Sequence, residues 1–202
     1  MNVVISRGNS KMGSISSVSL PPDLTCRKDC TCKKKCYARK IERIRKNVRE
    51  SYIKNYTILT EHPEQFWREV EASIMTSRFF RFHVAGDIPD TEYFVHMIDI
   101  SRKNPHCEIL CFTKKYDIIN TFIKKYGRGI IPGNLHIVLS AWPGMEMDNP
   151  YRLPEAHVRF KDGKTTADAN AIPCQGNCSE CAITDKGCWV LKDGEQVIFD
   201  EH

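Results

Sequence analysis

Long apolar runs are missing from this chain: nowhere in its 202 residues is there a stretch approaching the roughly 18 apolar residues that a bilayer-spanning helix needs. The opening "MNVVISRGNS" also lacks the hydrophobic region of a signal peptide. Both absences argue against a membrane partner and for a protein that stays in a reducing cytosol. Internal repeats and low-complexity segments are missing too, so a single globular domain over 1–202 is expected. At 41% hydrophobic residues the chain can bury a core without crosslinks. Cysteines are therefore not needed as staples, and in the cytosol clustered thiols are more often metal ligands or redox centres than disulfides.

Cysteine is what the chain has in excess. Of ten, four fall in residues 26–36 as C-x-x-x-C-x-C-x-x-x-C (Cys26, Cys30, Cys32, Cys36). Four more fall in residues 174–188, "CQGNCSECAITDKGC" (Cys174, Cys178, Cys181, Cys188), and Cys107 and Cys111 stand between the two sets. Four thiolates complete either a tetrahedral zinc site or an iron–sulfur cubane. Paired C-x-x-C knuckles, the usual mark of structural zinc, are scarce here, since only Cys178 and Cys181 have that form. The tight runs favour one or two 4Fe-4S clusters, with zinc as the alternative metal. Cys111 lies inside an apolar strand and reads as core, with Cys107 at its edge.

Positive charge surrounds the first set. Residues 27–49 carry eleven Lys or Arg against Asp29 and Glu42, while the whole chain is only +5. One reading is that cations offset thiolate charge; the other is a phosphate-tracking face for weak binding of nucleic acid or another polyanion. Aromatic residues are not interleaved there for base stacking, so sequence-specific readout is not expected.

The hydrophobic period predicts an α/β fold, either a small partial (β/α) barrel or an open parallel sheet, with cysteine-rich N- and C-terminal segments wrapping a metal centre. Residues 1–36 form the first cysteine segment. The core over 37–142 reads as helix (37–54, with Ile41, Ile44, Val48 and Tyr52 on one face), helix (63–76), strand (79–87), helix (91–104), strand (108–114), helix (116–127) and strand (135–142). Alternation at this spacing implies right-handed crossovers. Residues 143–173 show no period and are expected to be a long loop leading into the second cysteine set; "CWVLKDGEQVIF" is expected to be a hairpin turning at Asp193 and Gly194.

Parallel sheets place their chemistry at the carboxyl ends of strands. Those ends are "HVAGD" with His83, Gly86 and Asp87, "FTKK" with Thr113, Lys114 and Lys115, and "SAWPG" with Ser140 and Trp142. His83, Gly86, Asp87 and Lys114 are candidate cofactor-binding residues. The plainer alternative has Asp87 capping a turn and His83 hydrogen-bonded within the core.

The order "NSKMGSISSVSLPPDLTC", "KKCYARK" with "NVRESYIKN", "FFRFHVAGDIPDTEYF", "NPHCEILCFTK", "NLHIVLS" and "IPCQGNCSECAITDKGCW" resembles the phage gene product 88 family over nearly the whole chain. The resemblance places family cysteine motifs on Cys26, Cys36, Cys174, Cys178, Cys181 and Cys188 and a barrel motif on His83, Gly86 and Asp87; Cys30 and Cys32 are additional. If the chain is phage-encoded, the cytosol is that of the host. The family implies no particular reaction. More distantly, the layout is similar to an abbreviated radical-SAM partial barrel: Cys174, Cys178 and Cys181 have the spacing with which three thiolates leave one iron open for S-adenosylmethionine. Two features oppose that reading. The motif lies late in the chain, and Cys188 is close enough to fill the open position. A fully ligated cluster would instead be structural, sensing or served by an electron donor.

Overall fold

The computed structural model describes residues 1–201. Its strands are β1 (Ser16–Val18), β2 (Phe79–Phe82), β3 (Glu108–Thr113), β4 (Leu135–Ser140), β5 (Glu155–Arg159), β6 (Ile172–Pro173) and β7 (Gln196–Asp200). They form one sheet in the order β1-β2-β3-β4-β5-β7-β6, and each neighbouring pair is parallel. The sheet is open, with β1 and β6 at its edges. Its first five strands follow chain order, as in a singly wound α/β protein.

Helices α3 (Lys46–Glu61), α4 (Pro63–Met75), α5 (Thr91–Lys103) and α6 (Tyr116–Tyr126) bury one face. Pro63 opens α4 with its fixed φ, Asp90 caps α5 by accepting from Tyr93 N at 2.8 Å, and Gly127 at φ 81° ends α6. Strand alternation sorts the sheet's side chains. Phe80, Phe82, Ile109, Cys111, Ile137 and Leu139 join Phe66, Val70, Phe94, Ile98 and Ile119 of the helices in the main core. Leu110, Val138 and Val197 point the other way. There they pack with Met12, Ile15, Trp189 and the four cysteines of the second set, on α7 (Cys178–Ile183) and its flanking segments.

Several sequence expectations are corrected. The helix expected over 37–54 breaks at Arg45, whose extended backbone (φ −121°, ψ 96°) separates α2 (Tyr37–Ile44) from α3. Only α3 then reaches the core, and Ile44 is left 71% exposed. The strand expected over 79–87 stops at Phe82, because His83 takes φ 60°, outside the extended region. Residues 143–173 are not wholly loop, since β5 and β6 lie within them. The terminal hairpin does not form. Asp193 and Gly194 do turn the chain, but Gly187–Trp189 is a 3-10 turn, and β7 inserts in parallel between β5 and β6.

Gly86 (φ 84°) brings the "HVAGD" turn against the N-terminal segment. A Cβ there would lie 2.5 Å from Leu20 O and 2.8 Å from Thr25 Oγ1. Leu20 N donates to Ala85 O at 3.0 Å and Asp87 N to Thr25 Oγ1 at 3.1 Å, so the clash cannot relax without breaking that contact. Gly86→Ala is expected to lower the unfolding free energy by about 2 kcal/mol or more. Urea denaturation checks this: an unchanged midpoint contradicts the tight docking.

Candidate metal centre

The fold divides the ten cysteines by location. Cys107 and Cys111 are buried on the helical side of the sheet, as core residues. The other eight gather in two places away from that core.

The second set lies on the face opposite the helices. Cys174, Cys178, Cys181 and Cys188 line one small cavity of about 20 Å³, walled by Phe112, Trp189 and Phe199. Asn177 caps α7 by accepting from Glu180 N at 3.3 Å, and Cys178 N donates to Lys11 O at 2.9 Å, tying the helix to the N-terminal segment. Trp189 Nε1 donates to Cys178 O at 3.2 Å. Burial, then the neighbouring Cys174, push the Cys188 thiol up to about 12, with Arg81 opposing. Cys181 is raised for the same two leading reasons.

Arg81 enters this cavity from β2. Its guanidinium lies over the Phe112 ring, 4.7 Å from its centroid, and Nη1 reaches Met12 Sδ at 3.2 Å. Its Nε is buried with no hydrogen-bond partner. A buried guanidinium nitrogen left unpaired is costly, and an anion beside it would remove the cost. The sequence does signal this residue, as the one charge in the aromatic strand "FFRF", but the period alone cannot say which face it occupies.

The first set sits over the carboxyl ends of β2, β3 and β4. Residues 26–36 reach those ends through Arg27 Nη1 to Lys114 O (3.4 Å) and Thr31 Oγ1 to Pro143 O (3.1 Å). Burial chiefly, then Asp87 and Cys36, push Cys26 up to about 12, with Lys114 opposing. Cys30 and Cys32 are joined as a disulfide, their Cα atoms 5.4 Å apart, which leaves Cys26 and Cys36 as the free thiols of this set. Tyr37 stands between the two sets. Its hydroxyl donates to Val84 O in a residue that is 41% exposed, and desolvation first, with Cys36, Cys26 and Cys178, raises its phenol while Arg81 opposes.

The four candidate cofactor residues separate. Asp87 and Lys114 are beside the first cysteine set. Asp87 accepts from Thr113 Oγ1 (2.6 Å), Ile88 N (2.8 Å) and Lys114 N (2.9 Å), while burial pushes its carboxyl up. Lys114 Nζ donates to Ser140 Oγ at 2.7 Å and lies 6.0 Å from the Trp142 ring centroid. Gly86 serves the turn described above. His83 is turned into the helical core, with Nε2 3.0 Å from Tyr93 Oη and Nδ1 3.9 Å from Cys111 Sγ. Among the described residues, no three His, Cys, Asp or Glu side chains are arranged to hold a metal ion as they lie. The second set has the donor chemistry of a four-thiolate site and the first has it only when Cys30–Cys32 is reduced; in both, side chains would have to turn toward a common point.

This is an α/β protein whose singly wound parallel sheet carries its long helices on one face, a thiol-lined cavity on the other, and the first cysteine set at its carboxyl edge. The gene product 88 family model matches residues 4–190, and the chain belongs to that family. No curated protein and no solved structure matches it. Among the described residues no helix is long and apolar enough to cross a membrane.

Burial, reinforced by Arg81, pulls His83 down to about 3. The unfolded chain binds a proton near roughly pH 6.5 that the folded core refuses. Stability from the neutral imidazole is therefore complete above that pH and is lost as pH falls toward 3. This residue should contribute a slope of up to about 1.4 kcal/mol per pH unit across that window. Comparing urea unfolding of wild type and His83→Asn between pH 7 and 4 isolates it, since Asn tolerates positive φ; identical slopes contradict the assignment.

Proposed function

We propose that the protein is an iron–sulfur protein with one 4Fe-4S centre at each cysteine set. The observation that carries this reading is the second pocket, where four thiols and the unpaired Nε of Arg81 share one cavity. A cubane held by four thiolates is an anion; Arg81 would lie against that charge, and Phe112, Trp189 and Phe199 would keep water from it. Cys174, Cys178, Cys181 and Cys188 would be the ligands of this centre. Cys26, Cys30, Cys32 and Cys36 would hold the other once a dithiol reductant has supplied two electrons to cleave the Cys30–Cys32 disulfide into two thiols, with Asp87 and Lys114 beside it. Such centres, when bound, supply one-electron chemistry or structural support. An electron-donor partner and a cytosolic location belong to this reading. Radical-SAM chemistry is less favoured, because Cys188 lines the same cavity as the three-cysteine motif and would leave no open iron there.

Protein purified without oxygen should be brown and contain iron and acid-labile sulfide. Colourless protein with stoichiometric zinc would overturn the iron assignment and leave zinc staples. With one centre at each set, Cys36→Ser and Cys181→Ser should each lose roughly half of the iron. Loss of all iron in both variants would point to a single shared centre.

A second reading, weak polyanion binding through residues 27–49, is supported by the exposure of Lys40, Arg43, Arg45, Lys46 and Arg49. Part of the basic run is already engaged: Arg27 pairs with Asp29, Arg39 with Asp23, and Lys35 with Glu201 at 2.7 Å. If the exposed five contact phosphates, affinity for duplex DNA should fall with salt at a log–log slope of about −4. A titration across a salt series measures it; undetectable binding at low salt leaves charge balance and solubility as the role of these cations.

A further inference from the structure

An open groove of about 820 Å³ lies at the opposite edge of the sheet from the first cysteine set, between the N-terminal segment, the end of α4 and α7. Ser16 and Phe79, the first residues of β1 and β2, form part of its floor. Two guanidiniums, Arg7 and Arg78, face it, and no carboxylate lines it. Among the described residues neither arginine is in an ion pair; Arg78 is engaged only with the ring of Phe79, 5.1 Å from its centroid.

Helix α4 ends here, and bare terminal carbonyls would repel an anion. They are already occupied. Thr76 and Ser77 hydroxyls donate to Ser73 O at 3.2 and 2.7 Å, Ser77 N donates to Ile74 O at 3.0 Å, and His106 Nε2 is 3.1 Å from Met75 O. What remains turned to the groove is positive charge, the hydroxyls of Ser14 and Ser16, and an apolar wall of Ile5, Phe79 and Ile183; the Ser179 hydroxyl beside them donates to Asn177 Oδ1 at 3.1 Å.

We propose that this groove binds a phosphate group through Arg7 and Arg78. Guanidinium forks match phosphate oxygens, and serine hydroxyls add neutral donors. The volume lies in the range of about 300–1,000 Å³ typical of small-molecule sites and exceeds what a lone phosphate fills, so the apolar wall leaves room for the organic part of a nucleotide. None of the eight clustered cysteines lines the groove, although Ser179 and Ile183 come from α7, which also carries Cys178 and Cys181.

Calorimetric titration of the full chain at low salt with inorganic phosphate and with AMP tests this. Saturable binding at one site is expected, tighter for AMP. Arg7→Gln and Arg78→Gln should each weaken it about tenfold or more, whereas Lys33→Gln/Lys34→Gln/Lys35→Gln in the first cysteine set should leave it unchanged. Phosphate binding as tightly as AMP supports the anion site and identifies free phosphate as its occupant. Absence of saturable binding of both probes overturns the proposal, as does binding that survives in Arg7→Gln, a substitution at an exposed position that should not disturb folding.

Discussion

A parallel sheet buries apolar side chains on both faces, and here helices cover only one of them. Everything on the second face follows from that requirement. Leu110, Val138, Val197 and Phe199 need a cover, and it is built from Met12, Ile15, Trp189 and the short cysteine-bearing α7 rather than from another layer of long helices. Because the covering element carries so little apolar surface of its own, its four thiols are part of the packing. On the proposed reading, occupancy of the pocket and stability of this half of the core would be linked in one equilibrium.

The same requirement draws the two ends of the chain together. Lys11 O accepts from Cys178 N, and Gly13 leaves no room for a side chain against Ser179. On the other side of the molecule Lys35 reaches Glu201 and lies over Phe160, 4.4 Å from the ring centroid. The cations packed between the first cysteines thus have separate tasks. Lys35 is a tether, Lys33 donates to Lys28 O, and Arg27 clamps the carbonyl of Lys114. The cation placed most directly among those thiols is Lys114, which comes from the far end of a strand.

The helical half of the fold was legible from period alone, since Phe66, Val70 and Ile74 or Phe94, Met97 and Ile98 recur at helical spacing and face a continuous core. The cysteine half was not. Strands of two or three residues, such as Ser16–Val18 and Ile172–Pro173, are too short to show alternation, and β7 carries the same pattern whether it pairs in a hairpin or in parallel with distant neighbours. The break at Arg45 has no proline or glycine to announce it. At the site, composition alone singled out all eight clustered cysteines, and strand ends singled out Asp87 and Lys114. Of the two placements the strand end leaves open for His83, its positive φ realises the one within the core. Arg81 and Tyr37 were missed because their importance comes from what the fold brings beside them.

The insertion of β7 between β5 and β6 gives the chain a direction of assembly. β7, the last of the described strands in chain order, is an interior one, hydrogen-bonded on both sides. Until residues 196–200 have left the ribosome, β5 and β6 have no partner on that side, Val197 and Phe199 are absent from the thiol pocket, and Glu201 cannot anchor Lys35. A nascent or truncated chain can complete its helical face while the cysteine face is still open to solvent. Residues 196–201 are thus the clasp of the structure, and a chain cut before them is distinguished by a cysteine face that cannot close.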